Sequence, residues 1–94
     1  MMFIERIKQL REDRQLPQRK LAEALDIDSA TYCKIEKGER KSKREQVIII
    51  AELLKANKDE LLTLWLAEQI MEVIEDEKEL ANRALVIVQK FINE

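Results

Sequence analysis

Apolar positions recur at helical spacing through most of the chain. Phe3, Ile7 and Leu10 stand at i, i+4 and i+7 with charged and polar residues between and after them, which predicts an amphipathic first helix. Pro17 opens a second, because its missing N–H would be unpaired in a first turn anyway, and residues 18–25 follow with Leu21, Ala22 and Leu25 facing inward. Ala22 is small enough to let another helix approach closely. Val47, Ile50, Ala51 and Leu54 fall at i, i+3, i+4 and i+7 and predict a helix over about residues 44–55, its apolar face widened by Ile48, Ile49 and Leu53. Asn57 and Glu60 have the spacing of an N-cap and its N3 partner. They open a helix whose segment LLTLWLA is apolar almost all round and calls for cover on several sides. Asp76 with Glu79 can cap a last helix, in which Leu80, Ala84, Ile87 and Phe91 stand at i, i+4, i+7 and i+11. The run Val86, Ile87, Val88 would suit a strand, but an isolated strand has no partner, so helix is expected.

A different pattern separates the second helix from the one at residue 44. The stretch DSATYCKIEKG, residues 28–38, starts on a residue that can cap a helix and stops at the only glycine in the sequence. Only Ile35 and Tyr32 are core candidates in it, while Ser29, Ala30, Thr31, Cys33 and Lys34 are small, polar or basic. A helix this short and polar does not fold alone; a scaffold must carry it and leave its outer face free. With Asp26 and Ile27 as the link, two short helices are joined by about three residues, the pattern of a helix-turn-helix. The following ERKSKRE is a polar stretch with basic residues Arg40, Lys41, Lys43 and Arg44. It is either a solvated loop or a phosphate-contacting loop beside the short helix.

Composition agrees with an all-α fold: 94 residues, 38% charged, one Gly and one Pro leave little for hairpin turns. A chain of this length makes one domain, or one domain with an appended dimerisation element. No apolar run reaches membrane-spanning length, and MMFIERIKQL places charges where a signal peptide needs apolar residues, so a cytoplasmic protein without membrane contact is expected. One cysteine cannot form an internal disulfide, and the absence of histidine excludes a zinc site of the usual kind and a histidine-based catalytic triad. Neither metal nor cofactor is expected, and no catalytic constellation is present.

The net charge of -2 conceals an asymmetry. Residues 1–46 carry 12 Lys or Arg against 9 Asp or Glu, a balance of +3, whereas residues 47–94 carry 5 against 10, a balance of -5. Exposed charges more than about 8 Å apart are largely screened at physiological salt, so a basic face can bind phosphates despite an acidic far end. The acidic cluster Glu75 to Glu77 is expected as a solvated turn rather than a chemical site. Cys33 on the outer side of its helix could obstruct that face on oxidation, but no resolving cysteine accompanies it.

From Phe3 to about Leu62 the residues RIKQLRED, LPQRKLAEALDI, KIEKGER, AELL and KDELL, in that order and spacing, resemble the phage repressor and Cro-like helix-turn-helix regulators, often called the XRE family. The resemblance covers about two thirds of the chain. It implies a five-helix, lambda-repressor-like DNA-binding domain over residues 1–66, with the motif at about 18–37 and the third helix in the major groove of double-stranded DNA. Residues 67–94 lie outside it as a helical extension with an additional C-terminal helix. By the same resemblance Gln18 sits where the second helix meets the DNA backbone; Ser29, Ala30, Thr31 and Lys34 match the exposed positions of the recognition helix; and Arg40, Lys41, Lys43 and Arg44 lie in the phosphate-contacting loop, while Arg19 beside Gln18 and Cys33 on the outer side of the short helix are added as DNA-facing residues by their own placement. Arg11 and Glu36 match a partly buried ion pair tying helix one to the end of helix three. Tyr32 stands where the family prefers an aliphatic core residue, with its hydroxyl as a further possible phosphate contact. The chain departs from the family at Asp26 and Lys55, both usually Gly; Asp takes a left-handed backbone more readily than most residues, while Lys55 leaves its loop open.

Trp65, Leu66, Ile70, Val73, Ile87 and Phe91 offer more apolar surface than a five-helix core needs. A homodimer built from helices five and six is therefore expected, setting two recognition helices one DNA turn, about 34 Å, apart; the alternative is that helix six folds back over its own domain. The function expected is a sequence-specific DNA-binding transcriptional regulator. The alternative is a protein-interaction module, antitoxin-like or anti-repressor, with a protein partner on the C-terminal helices.

Overall fold

The computed structural model describes residues 2–94, which form six α-helices and, among the described residues, no strand. They are α1 (Met2–Asp13), α2 (Gln18–Leu25), α3 (Ser29–Glu36), α4 (Arg44–Leu54), α5 (Lys58–Ile74) and α6 (Lys78–Ile92). The fold is all-α, a helix-turn-helix unit with an extra C-terminal helix. Phe3 and Ile7 of α1, Leu21, Ala22 and Leu25 of α2, Tyr32 and Ile35 of α3, Val47, Ile50, Ala51 and Leu54 of α4, and Leu61 and Leu62 of α5 make one core. A large aliphatic side chain buried this completely contributes about 1.5–3 kcal/mol; the core therefore lets α2 and α3, eight residues each, persist where isolated helices of that length would not.

Helix ends follow one device. After α1, α2, α3 and α4 the chain turns through a left-handed residue, Gln15, Asp26, Gly38 and Lys55, with φ of 56°, 57°, 78° and 53°. The next residue's N–H bonds back across the last turn, Leu16 to the Arg11 carbonyl, Ile27 to Ala22, Glu39 to Lys34 and Ala56 to Ala51. This is the six-to-one closure that satisfies orphan carbonyls at a helix end. Asp26 and Lys55 thus adopt the conformation that glycine would adopt more easily. Gly38 has a second reason to be glycine: a Cβ there would lie 3.1 Å from Cδ1 of Ile4.

Two details differ from the sequence expectations. Pro17 is the N-cap of α2, with φ -74° and ψ 156°, rather than a residue of its first turn. The last helix is not capped by Asp76: its N-cap is Glu77, which makes no side-chain cap bond. Several carboxylates crowd this turn, and the backbone geometry, not residue type, selects among them. The apolar segment of α5 is covered on several sides, by α1 and α4 in the core, with Leu61 and Leu62 buried and Leu64 and Trp65 packed against them; Leu66 is exposed.

α5 runs unbroken through the point after residue 66, so the helix-turn-helix unit and the extension share one helix. Beyond it the chain leaves the core. Ile70, Met71 and Val73 are exposed and no residue of α6 is buried. Among the described residues no helix is long and apolar enough to cross a membrane.

Candidate nucleic-acid interface

α3 is fixed at both ends and along its inner face. At the start the Asp28 carboxylate accepts a hydrogen bond from the Thr31 N–H at 2.7 Å, and the Thr31 hydroxyl first, with that N–H second, holds the Asp28 carboxyl below its ordinary value. Inside, Tyr32, Ile35 and Glu36 are buried. At the far end Arg11 of α1 grips Glu36 with two bonds, Nε to Oε2 at 2.8 Å and Nη2 to Oε1 at 3.1 Å. Arg11 Nη1 also donates to the Leu16 carbonyl at 2.9 Å, and Gln18 Nε2 of α2 donates to Glu36 Oε1 at 3.1 Å. One carboxylate therefore joins α1, α2 and α3. Burial pushes Glu36 up, but the bonds from Arg11 and Gln18, the approach of the Tyr32 hydroxyl and the Arg11 charge outweigh it, leaving its pKa below the ordinary value.

What remains outside is the polar face. Ser29, Ala30 and Lys34 are exposed, Thr31 and Cys33 half-buried. This is a short helix presented by a companion helix across a three-residue link, its inner side anchored and its outer side bare. A model of the helix-turn-helix domain matches residues 4–65. The chain belongs to the helix-turn-helix domain family. No curated protein and no solved structure matches the chain.

Within this helix-turn-helix domain the basic side chains flank α3. Arg19 on α2, and Arg40, Lys43 and Arg44 after α3, are exposed. Lys43 is the N-cap of α4, its backbone N–H donating to Gln46 Oε1 at 2.9 Å, and Arg44 opens that helix. Lys41 is placed differently: its Nζ lies 2.7 Å from Glu72 Oε2 of α5, so its charge is partly engaged within the molecule. Tyr32 is fully buried. Its hydroxyl is therefore closed to a phosphate, and burial, with the Glu36 carboxylate second, pushes the phenol pKa well up.

The loop over residues 38–43 is held from α5. Trp65 Nε1 donates to the Ser42 carbonyl at 3.0 Å, so this residue, expected on a dimer interface, already has a partner in its own subunit. Beneath the loop lies a cavity of about 40 Å³ whose lining includes Phe3, Ser42, Trp65 and Glu68. Glu68 sits opposite the first turn of α1, where the backbone N–H groups of Ile4 and Phe3 draw its carboxylate as a helix N-terminus does. Burial nonetheless dominates and raises its pKa. Sequence reading missed Glu68, though the signal was present: Leu61, Trp65 and Glu68 stand at i, i+4 and i+7 on one face of α5.

Proposed function

We propose that the protein is a sequence-specific DNA-binding transcriptional regulator of the phage repressor and Cro-like (XRE) type, acting without catalysis in the cytoplasm. α3 enters the major groove, and residues 1–66 bind DNA while residues 67–94 join two copies on a two-fold site. The observation that carries this is the mounting of α3: a buried inner face and a bare outer face, in a helix-turn-helix domain with exposed arginines and lysines on both sides. Ser29, Ala30, Thr31, Cys33 and Lys34 read the groove; Arg19, Arg40, Lys43 and Arg44 hold phosphates, and Lys41 does so on release from Glu72. Gln18 gives one amide hydrogen to Glu36 and keeps the second for the DNA backbone. Since the residues at the groove are mostly short, DNA shape and the flanking basic side chains carry much of the specificity.

The test is selection of bound sites from random DNA with the purified protein, followed by titration of the selected site at several salt concentrations. Phosphate binding releases counterions, so the logarithm of the affinity falls linearly with the logarithm of salt, at about -0.9 per phosphate neutralised. A steep slope and an enriched two-fold sequence are expected. No binding even at low salt would end this reading in favour of a protein-interaction module using the C-terminal helices, antitoxin-like or anti-repressor, which the bare apolar face of α6 independently supports.

A further inference from the structure

α6 is the least accounted-for part of the molecule. It has 15 residues, none buried, and its packing among the described residues is chiefly against α5. A helix of this length is marginal in water without packing. The radius of gyration is 15.1 Å, against about 12 Å for a compact chain of this length, as expected when a helix stands away from the body. Ala81 and Leu85 face the end of α5 beside Met71 and Ile74. The opposite stripe is open: Leu80, Ala84, Ile87 and Phe91 are all exposed.

The spacing of that stripe identifies what covers it. The steps 80 to 84, 84 to 87 and 87 to 91 run four, three, four, the repeat that keeps one seam of a helix facing another helix. The stripe is also nearly symmetric about its midpoint. When two copies pair in opposite directions, Leu80 meets Phe91 of the other copy and Ala84 meets Ile87, so each small side chain has a large one opposite. In the same direction Ala84 would face Ala84 and leave a gap that a packed interior does not tolerate.

Charge selects the same arrangement. The turn into α6 and its first residues carry Glu75, Asp76, Glu77 and Glu79 with Lys78 among them, a net negative cluster, while its last turn carries Lys90. Parallel pairing stacks the two acidic clusters on each other, whereas antiparallel pairing sets each beside the other copy's Lys90, with Glu94 as the single carboxylate opposite the cluster. Helix dipoles add in the same sense. Resting on the homodimer reading above, we propose that the occupant of the α6 stripe is the α6 of a second copy of this chain, paired antiparallel about a two-fold axis passing between Ala84 and Ile87.

The experiment is disulfide trapping in a Cys33→Ser background, with Leu80→Cys, Phe91→Cys and the double variant, each also weighed in solution by light scattering. Both positions are exposed, so neither change opens the core. Antiparallel pairing puts residue 80 of one copy and residue 91 of the other within disulfide reach, and holds like positions about 16 Å apart along the axis. The double variant is expected to run as a covalent dimer without reductant while neither single variant does. Covalent dimers of the single variants would overturn the antiparallel seam and leave the dimer standing. A dimeric mass with no trapping in any variant would overturn the seam, and a monomeric mass of the Cys33→Ser parent, whose seam is intact, would overturn the dimer reading itself, whatever the DNA titrations show.

Discussion

Arg11 and Glu36, 25 residues apart, meet in a two-pronged ion pair at 2.8 and 3.1 Å that is nearly sealed from solvent. Breaking one side of such a pair strands the other charge. Arg11→Met is expected to lower unfolding stability by about 3–5 kcal/mol, and adding Glu36→Leu to it should return most of the loss. Urea unfolding of the two variants decides this: a single-variant loss below about 1 kcal/mol would mean that the pair does not hold α3.

The two shifted glutamates oppose each other in their pH dependence. Glu36 lies below the ordinary carboxylate value, so its stabilisation is complete above that value and disappears as pH falls through the lower folded pKa. Glu68 lies above it, so its contribution is intact at low pH and is lost as pH rises through the folded pKa. Glu68→Gln removes the second effect only. The variant should be the more stable protein at neutral pH, with the advantage gone below about pH 4. An advantage that stayed constant in melts from pH 3 to 8 would show that Glu68 does not titrate on unfolding.

Helix-end substitutions should split by sign. Lys55→Gly relieves a left-handed non-glycine residue and should stabilise by about 0.5–1 kcal/mol, the conformational gain being offset by a freer unfolded chain. Gly38→Ala adds both left-handed strain and a methyl against Ile4, and should destabilise by about 1–2 kcal/mol. Thermal melts that moved both variants in one direction would contradict the assignment of these turns.

Lys34 is the longest exposed side chain on α3 among those assigned to the groove. Lys34→Ala should weaken binding to the selected site by about 1–3 kcal/mol and relax base preference, with a smaller effect on random DNA. An equal loss on both would mark Lys34 as a phosphate contact.

Much of this architecture was legible in the residues. Apolar spacing located the helices, and the cap at Asp28 was readable because short polar side chains before an apolar stretch announce a helix start; the same holds for Asn57, whose side chain accepts from the Glu60 N–H. Tyr32 and Ile35 could be assigned to the core from spacing alone. Other features were hidden for physical reasons. Nothing in Gln15 announces a left-handed backbone, because tertiary packing imposes it, and at Lys55 the sign is only the family's usual glycine. Asp76 was mistaken for a cap because every acidic residue in that turn could serve. Nothing in the spacing joins Arg11 to Glu36; that pairing entered through the family's pattern, and the hydrogen bond of Trp65 to Ser42 depends on a fold that brings 23 residues of separation to 3.0 Å.

α5 starts inside the molecule at Leu61 and ends outside it at Val73 without a break. Its 17 residues make a rod about 25 Å long, and in the proposed dimer this rod and the short turn before α6 stand between the helix-turn-helix unit and the face that meets the second copy. In that proposed dimer, two reading heads joined through such rods would have little slack. An operator lengthened by one base pair between its halves displaces the second half-site by about 3.4 Å and rotates it by about 35°. A dimer on long flexible tethers could absorb that, whereas the proposed dimer is expected to surrender a half-site, which would make the spacing between half-sites as much a part of its specificity as the bases.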